Sequence, residues 1–502
     1  MTGAGHMQLA LSLPLLALVA IGLFSRRHNL REAAHLAAAA SSSLNVVFLA
    51  VTVFRGARPE YRLLEMIPGF SLAFRGEPLG IVFALVASVL WLATVFYAIG
   101  YLRSHREGHQ ARFFACFAVA MWAALGAALA ANLFTLFVFY EVLTISTYPL
   151  VTHHGTPAAR AGGRVYMGIL LSASIGLLLL AIVWTWKITG GQLDFLAGGI
   201  LREPFEAGRL ATWQIGLLLG LFAFGIAKAA LMPMHRWLPA AMVAPTPVSA
   251  LLHAVAVVKV GVFSLMKVVV YIFGLELLSE TGASLWLAYV AAASVLLASA
   301  VALTKDNLKA RLAYSTVSQL GYVTLGAALA NPAGVIGGSM HIAMHAVGKI
   351  TLFFCAGAIY VATHKTEVSQ MRGLGRRMPL TMVAFFVASL SIIGIPPGGG
   401  AWSKWCLALG SAERQQPLLV ATLMLSSLLN IAYLLPIPVQ AFWGTEPEGT
   451  GLHDHPVCLT GTGRGEAPWF CVIPLCLTAA GTVVLFFFAN QLYEALAAIA
   501  VY

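Results

Sequence analysis

From Lys228 to His253 the chain reads KAALMPMHRWLPAAMVAPTPVSALLH. Apolar runs flank this stretch, so it belongs to two long hydrophobic segments, roughly 214–240 and 245–273. Pro233 and Pro239 interrupt the first. A proline removes a backbone donor and clashes with the preceding turn, and in a bilayer the freed carbonyls need another partner. The reading is a broken membrane helix with Lys228 inside it. A second interruption, Ile395-Pro396-Pro397-Gly398-Gly399-Gly400, falls in the segment 380–410, and Lys404 follows it closely.

Composition supports a membrane setting for both. The 502 residues are 60% hydrophobic and 10% charged, with a mean hydropathy of +0.85. A soluble domain carries about 25% charged residues, and so large a deficit cannot clothe a soluble surface. Apolar stretches near the ~20 residues needed to span a bilayer recur throughout. They do not alternate polar with apolar, so helices are expected and a barrel is not. The fold class is all-α integral membrane, with about fourteen transmembrane helices near 8–24, 33–54, 79–102, 113–131, 133–151, 165–187, 214–240, 245–273, 285–303, 308–330, 333–362, 380–410, 418–442 and 469–490.

The two interrupted helices, seventh and twelfth, stand five elements apart. That spacing suggests a five-helix repeat covering helices 4–8 and 9–13, and paired interruptions point to a transport site. Four parts follow: an N-terminal three-helix segment 1–112, a first repeat 113–273, a second repeat 274–443, and a polar loop with a C-terminal helix, 444–502.

The net charge of +11 reads as topology rather than nucleic-acid binding. Alternate loops hold sixteen and eight Arg and Lys. The richer set faces the cytoplasm by the positive-inside rule, which puts both termini outside, in a cell inner (plasma) membrane. The first apolar run has no basic residue before it and Arg26-Arg27 after it, so it is expected to be retained as a helix. The six cysteines form no C-x-x-C and read as core filler. His453-Asp454-His455 reads as part of a solvated loop rather than a metal site.

Among the acids, Glu141 alone is expected deep inside an apolar run. Lys228, Lys259, Lys349 and Lys404 share that condition. A lone charge at the bilayer centre costs about 2.5–3.5 kcal/mol on insertion scales, so such a residue is a functional candidate by default. Lys267 and Arg236, nearer helix ends, are expected to snorkel to the interface. His253 precedes Lys259 on one helix. His341, His345 and Lys349 fall at i, i+4 and i+8, which stacks them on one helix face. His341 and His345 lack a third ligand nearby in sequence, so a proton relay is favoured over a metal site. No metal or other cofactor is expected, and no nucleotide, quinone or flavin motif is evident.

The Lys228–His253 stretch, Tyr140-Glu141, Asn307-Leu-Lys-Ala-Arg-Leu-Ala-Tyr-Ser-Thr-Val-Ser-Gln-Leu-Gly-Tyr322 and His341-x3-His345-x3-Lys349 together resemble the antiporter-like subunits shared by respiratory complex I, Mrp-type cation/proton antiporters and membrane-bound hydrogenases. The resemblance runs from about residue 75 to 445. It implies fourteen helices, with the two five-helix repeats inverted. It assigns Glu141 and Lys228 as a glutamate–lysine pair, and Lys259 with His253 as an eighth-helix relay. His341, His345 and Lys349 become the link between half-channels, and Lys404 the terminal group of the second broken helix. It also implies hetero-oligomeric membrane partners, and protons with Na+ as the transported ions. The length and Tyr140-Glu-Val-Leu-Thr-Ile-Ser-Thr-Tyr-Pro149 look most like the D subunit of an Mrp-type antiporter. The alternative is a proton-pumping subunit of an NADH:quinone oxidoreductase or a membrane-bound hydrogenase. Any enzymatic role would come from redox partners, since no redox site is expected here. Gly398-Gly399-Gly400 departs from the bulkier residues usual after the double proline, which leaves the geometry around Lys404 open.

Overall fold

A computed structural model describes residues 2–67, 70–445 and 465–499. Helix dominates. Ten of the described helices are long and apolar enough to cross a bilayer, or eleven if Val257–Phe273 is joined to Leu275–Thr281 across an 80° bend. The His453-Asp454-His455 segment lies outside the described residues.

The Pro332–Thr363 helix is the hub. It is 32 residues long, and the hydrophobic window within it is 94% buried inside the protein. It carries His341, His345 and Lys349, so burial on all sides places those groups in the protein interior, away from lipid.

The first predicted break is present. Thr212–Gly225 ends before a tight turn at Ala227–Ala229, and Ala230 takes a left-handed backbone, φ 52°. The backbone groups released there find partners as the bilayer demands. Ala227 O accepts from Trp237 Nε1 at 2.9 Å, the Lys228 N–H meets the Tyr140 hydroxyl at 3.2 Å, and the Met232 N–H donates to Ser294 Oγ at 3.2 Å. The second break is also present. Pro379–Ile393 stops at Gly394, φ 94°, and helix resumes at Gly400–Glu413. The Gly399 N–H donates to Thr482 O at 3.0 Å. A Cβ at Gly398 would lie 2.5 Å from Ser391 Cα, and one at Gly400 would lie 2.0 Å from Ser391 O. These glycines allow the segment to fold back on Ser391, where a bulkier residue would collide.

Two features differ from the expectation. Residues expected as a plain loop form an antiparallel hairpin, Glu60–Ile67 with Phe70–Arg75. Ser71 O accepts from Asn132 Nδ2 and Thr135 Oγ1, both at 3.0 Å. The hairpin thereby pins the short link between Gln110–Leu129 and Leu133–Val151. The other difference is local unwinding. Five-residue wide turns interrupt Pro157–Ile188 at Ser174–Leu178 and the eighth predicted helix at Leu251–Val255. Such turns leave backbone groups off the regular ladder and are frequent at functional sites.

The loops sort onto two faces. On one, Asn307 bonds Glu367 at 3.0 Å, Lys309 Nζ bonds Ala244 O at 2.7 Å and Arg112 bonds His153 O at 3.1 Å. These loops hold most of the positive charge. On the other, Arg75 reaches Phe195 O at 2.8 Å and Arg414 reaches Ser279 at 2.7 Å.

One close approach sets the site. A Cβ at Gly261 would lie 2.3 Å from both Lys228 C and Ala229 N. The Val257–Val268 helix therefore rests directly on the broken backbone that carries Lys228. Gly261→Val is expected to lower the thermal-aggregation midpoint in detergent, with a destabilisation of about 1–3 kcal/mol from overpacking. Gly168→Ala, where a Cβ meets nothing within 4 Å, is expected to leave the midpoint unchanged or raise it slightly.

A buried line of lysines and histidines

Lys228 sits at the first break because the helix stops there and turns its ammonium toward the neighbouring Leu133–Val151 helix. The group is fully buried. It donates to Tyr140 O at 2.7 Å and to Thr144 Oγ1 at 2.5 Å, and it lies 3.1 Å from the Tyr140 ring centroid. Glu141 is the next residue along. Both its carboxylate oxygens are buried with no hydrogen-bond partner among the described residues. It makes no direct ion pair with Lys228 among the described residues. The expected pair is thus close but apart, and Tyr140 and Thr144 hold the lysine in the meantime.

Lys259 lies in the first turn of the regular helix Val257–Val268, which follows the wide turn at Leu251–Val255. Its ammonium contacts His345 Nδ1 directly. The His345 and His341 rings stack with centroids 5.7 Å apart and planes 2° from parallel, as i, i+4 spacing on one helix face requires. His341 Nδ1 meets Ser403 Oγ at 2.9 Å and Nε2 meets Gln319 Oε1 at 3.1 Å. Both nitrogens are engaged by protein groups, so neither is open to a metal. Ser403 also reaches Gly400 O at 3.1 Å. Its single hydroxyl proton has two acceptors to choose between, and Nδ1 can correspondingly accept or donate.

His341 and Lys404 meet on the same ring. Tyr322 stacks with His341 at 5.4 Å, and Lys404 Nζ lies 4.7 Å from the Tyr322 centroid. Lys404 donates to Ile393 O at 2.9 Å, a carbonyl that the second break leaves free, and to Ser427 Oγ at 3.2 Å. Lys349 forms a branch. It donates to Leu312 O at 3.2 Å and Ser315 Oγ at 2.7 Å, and Tyr433 continues from Ser315 at 3.0 Å.

Lys259, His341, His345 and Lys404 are therefore brought together, Lys349 follows one turn beyond His345 on the same helix, and Lys228 and Glu141 lie one helix away across Gly261. The side chain of His253 falls outside the described residues. Its backbone lies in the wide turn before Lys259.

Lys267 corrects the expectation. It does not snorkel: its side chain is 1% exposed, and it pairs with Glu77 at 2.6 Å. Glu141 is also not the only acid held inside, since Glu77 and Glu32 are 5% and 4% exposed. Glu32 pairs with Arg103. A lysine two turns from a proposed helix end looks able to reach water, and only the packing of neighbouring helices denies it that. Arg236 is exposed, as expected. The sequence reading also missed Thr144, Tyr322, Gln319, Ser403 and Ser315. Neutral hydroxyls and amides in a helix carry no signal until a charged partner faces them.

Residues 130–430 match the family described as NADH:quinone oxidoreductase/Mrp antiporter, transmembrane. The chain belongs to this family. It is 33% identical over 459 residues to the N subunit of NADH-quinone oxidoreductase from Desulforudis audaxviator, covering 91% of this chain and 90% of that one. It is 27% identical to the D subunit of a Na(+)/H(+) antiporter from Alkalihalophilus pseudofirmus, covering 84% of each. Its fold matches a chain of the Mrp complex from Dietzia sp. DQ12-45-1b with a TM-score of 0.82, 24% identity and coverage of 98% and 97%. A chain of an archaeal membrane-bound sulfane sulfur reductase matches with a TM-score of 0.82 and 21% identity, covering 99% of this chain and 97% of that one. This family member is a multi-pass membrane protein by its apolar helices.

The Lys228 anchorage is open to a direct check. Thr144→Val removes one acceptor from a buried ammonium and is expected to cost about 1–3 kcal/mol, measured as a lower thermal midpoint of the purified protein. Thr144→Ser keeps the hydroxyl and is expected to restore most of it.

Proposed function

We propose that this chain conducts protons across the plasma membrane as one member of a multisubunit complex. The observation that carries the reading is the closely spaced buried series Lys259–His345–His341–Ser403/Tyr322–Lys404, with Lys349 one turn beyond His345 on the same helix. Lys259 with His345 and His341 with Ser403 meet through hydrogen-bonding atoms, and the other neighbours meet through stacked rings and the Tyr322 ring face. Hydrocarbon offers no water to hold a proton, so a charge can cross only where such groups succeed one another.

Glu141 and Lys228 act as the switch at one end. An approaching carboxylate stabilises the ammonium, and a withdrawing one frees its proton for Lys259. The histidines carry it through the hub helix to Lys404. A tenfold change in proton affinity is about 1.4 kcal/mol, and one charge crossing 100 mV exchanges about 2.3 kcal/mol. Modest rearrangements at a few sites are of the size needed for coupling. In this proposal the two breaks, at Lys228 and before Lys404, mark equivalent places in two inverted five-helix repeats, helices 4–8 and 9–13 of fourteen. The basic loops face the cytoplasm and both termini lie outside.

The first reading of the complex is a monovalent cation (Na+)/proton antiporter, in keeping with the Na(+)/H(+) antiporter relative. The second is a redox-driven pump of the NADH:quinone oxidoreductase type. The NADH-quinone oxidoreductase relative, similar over nearly the whole chain, favours it. Purifying the native complex separates them: flavin or iron–sulfur absorbance accompanying the chain supports the second, and Na+-dependent proton exchange without it supports the first.

Conduction itself is tested in proteoliposomes containing the complex. Lys259→Met and His341→Gln are expected to lower proton flux by about a hundredfold, the scale of a lost proton-transfer group, with assembly retained. His341→Gln keeps hydrogen-bonding capacity but cannot carry a proton. Wild-type flux in both would sink the reading.

A further inference from the structure

The Val257–Val268 helix carries a second buried lysine that the line above does not use. Lys267 and Glu77 lie 2.6 Å apart, with side chains 1% and 6% exposed. Lys267 also contacts Ala130 O, and its ammonium lies 4.5 Å from the Phe195 ring centroid. Glu77 lines an opening of about 290 Å³ together with Arg58, Glu60, Arg75 and Tyr271. That opening is on the face opposite the basic loops, because Glu77 precedes the Pro78–Ser104 helix, whose other end reaches them.

A connection runs inward from the pair. Ser264, one turn before Lys267, is 1% exposed. Its hydroxyl has no hydrogen-bond partner among the described residues. Gly261, Ser264 and Lys267 fall at i, i+3 and i+6, so they share one face of the helix, and at Gly261 that face rests on the Lys228 backbone. Tyr140 is the residue that holds Lys228. A pair kept only for packing would be matched or bettered by apolar residues of the same volume. This pair has an opening to the surface on one side and, on the other, an unpartnered hydroxyl on the helix face that reaches Lys228.

We propose that Glu77 and Lys267 form a second proton-carrying gate, joining Lys228 through Ser264 to the face opposite the basic loops. The proposal rests on the proton-conducting reading above. The Lys267 ammonium gives its proton to the Glu77 carboxylate, leaving a neutral amine and a neutral acid. The acid releases the proton to water in the opening and returns to carboxylate. The amine exchanges protons with Lys228 through the Ser264 hydroxyl, so the same steps run in reverse refill Lys228 after it gives its proton to Lys259. Protons and charge balance, and no redox partner is needed.

The test uses the native complex in proteoliposomes with a pH-sensitive dye inside. The double variant Glu77→Gln/Lys267→Gln keeps side-chain volume and leaves no unpaired charge. It is expected to assemble normally and to lose flux by about a hundredfold, and Ser264→Ala to lose less. Wild-type flux in the double variant overturns the gate. Lys259→Met, measured beside it, separates the two failures: if it also keeps full flux, the conduction reading falls, and if it alone is inactive, only the gate falls. A second measurement leaves the pair intact and does not depend on the double variant folding. Ala197→Cys places a thiol on the exposed lining of the opening. Labelling it with a bulky, membrane-impermeant thiol reagent, in a background without the native cysteines, is expected to block flux. Complete labelling with unchanged flux also overturns the proposal.

Discussion

An ionised group in hydrocarbon has no water to stabilise it, and everything particular about this protein follows from how it meets that requirement. Lys228, Lys259, Lys267 and Lys349 are wholly buried, and Lys404 nearly so. Each finds a different solution. Lys228 rests on a carbonyl, a hydroxyl and an aromatic face, Lys259 on a histidine ring, Lys267 on a carboxylate, Lys349 on a carbonyl and a serine, and Lys404 on a carbonyl released by a helix break. Among the described residues, only Lys267 of the five meets a carboxylate in a direct ion pair. The others are held by dipoles, which support a charge without fixing it in place, and that is the condition a transferable proton requires.

The helix breaks are part of the same solution. An intact helix engages each carbonyl internally and leaves an ammonium only the second lone pair, whereas a break leaves a carbonyl wholly free. Breaking the chain beside Lys404 frees Ile393 O for it, and breaking it at Lys228 lets the neighbouring helix come close enough to supply Tyr140 O. The cost of interruption is contained because the remaining backbone groups are taken up by Trp237, Ser294 and Thr482. Small residues complete the arrangement: Gly261 lets a helix rest on the first break, and Gly398 and Gly400 let the second fold back on Ser391. The glycine run that departs from the family's usual pattern thus has a steric role in this chain.

The hub helix links the two breaks. Its histidines face Lys259 at one level and Ser403 and Tyr322 at another, so groups from four separate segments become neighbours around one buried rod. Peripheral elements have a supporting part. The hairpin at 60–75 contributes no conducting group, yet it holds the start of the Leu133–Val151 helix, on which Tyr140, Glu141 and Thr144 depend for their position.

Much of this was legible in the residues alone. A charge deficit and recurring apolar runs that do not alternate can mean little other than membrane helices, because in lipid only helices and closed barrels satisfy the backbone. Proline runs beside lysines announced both breaks, and i, i+4, i+8 spacing announced the histidine–lysine face, since helical periodicity is local. The hairpin was not legible, because its strands are stabilised by Asn132 and Thr135, far along the chain. The burial of Lys267 was not legible either: whether a lysine near a helix end reaches water depends on which helices surround it. The choice of Tyr140 and Thr144, rather than Glu141, as the immediate partners of Lys228 belongs to tertiary structure as well. Sequence determines which groups hydrocarbon will penalise, because that depends on residue type and local hydropathy. Only the packed fold decides which partner relieves each one, because a hydrogen bond depends on a few tenths of an ångström between segments far apart in the chain.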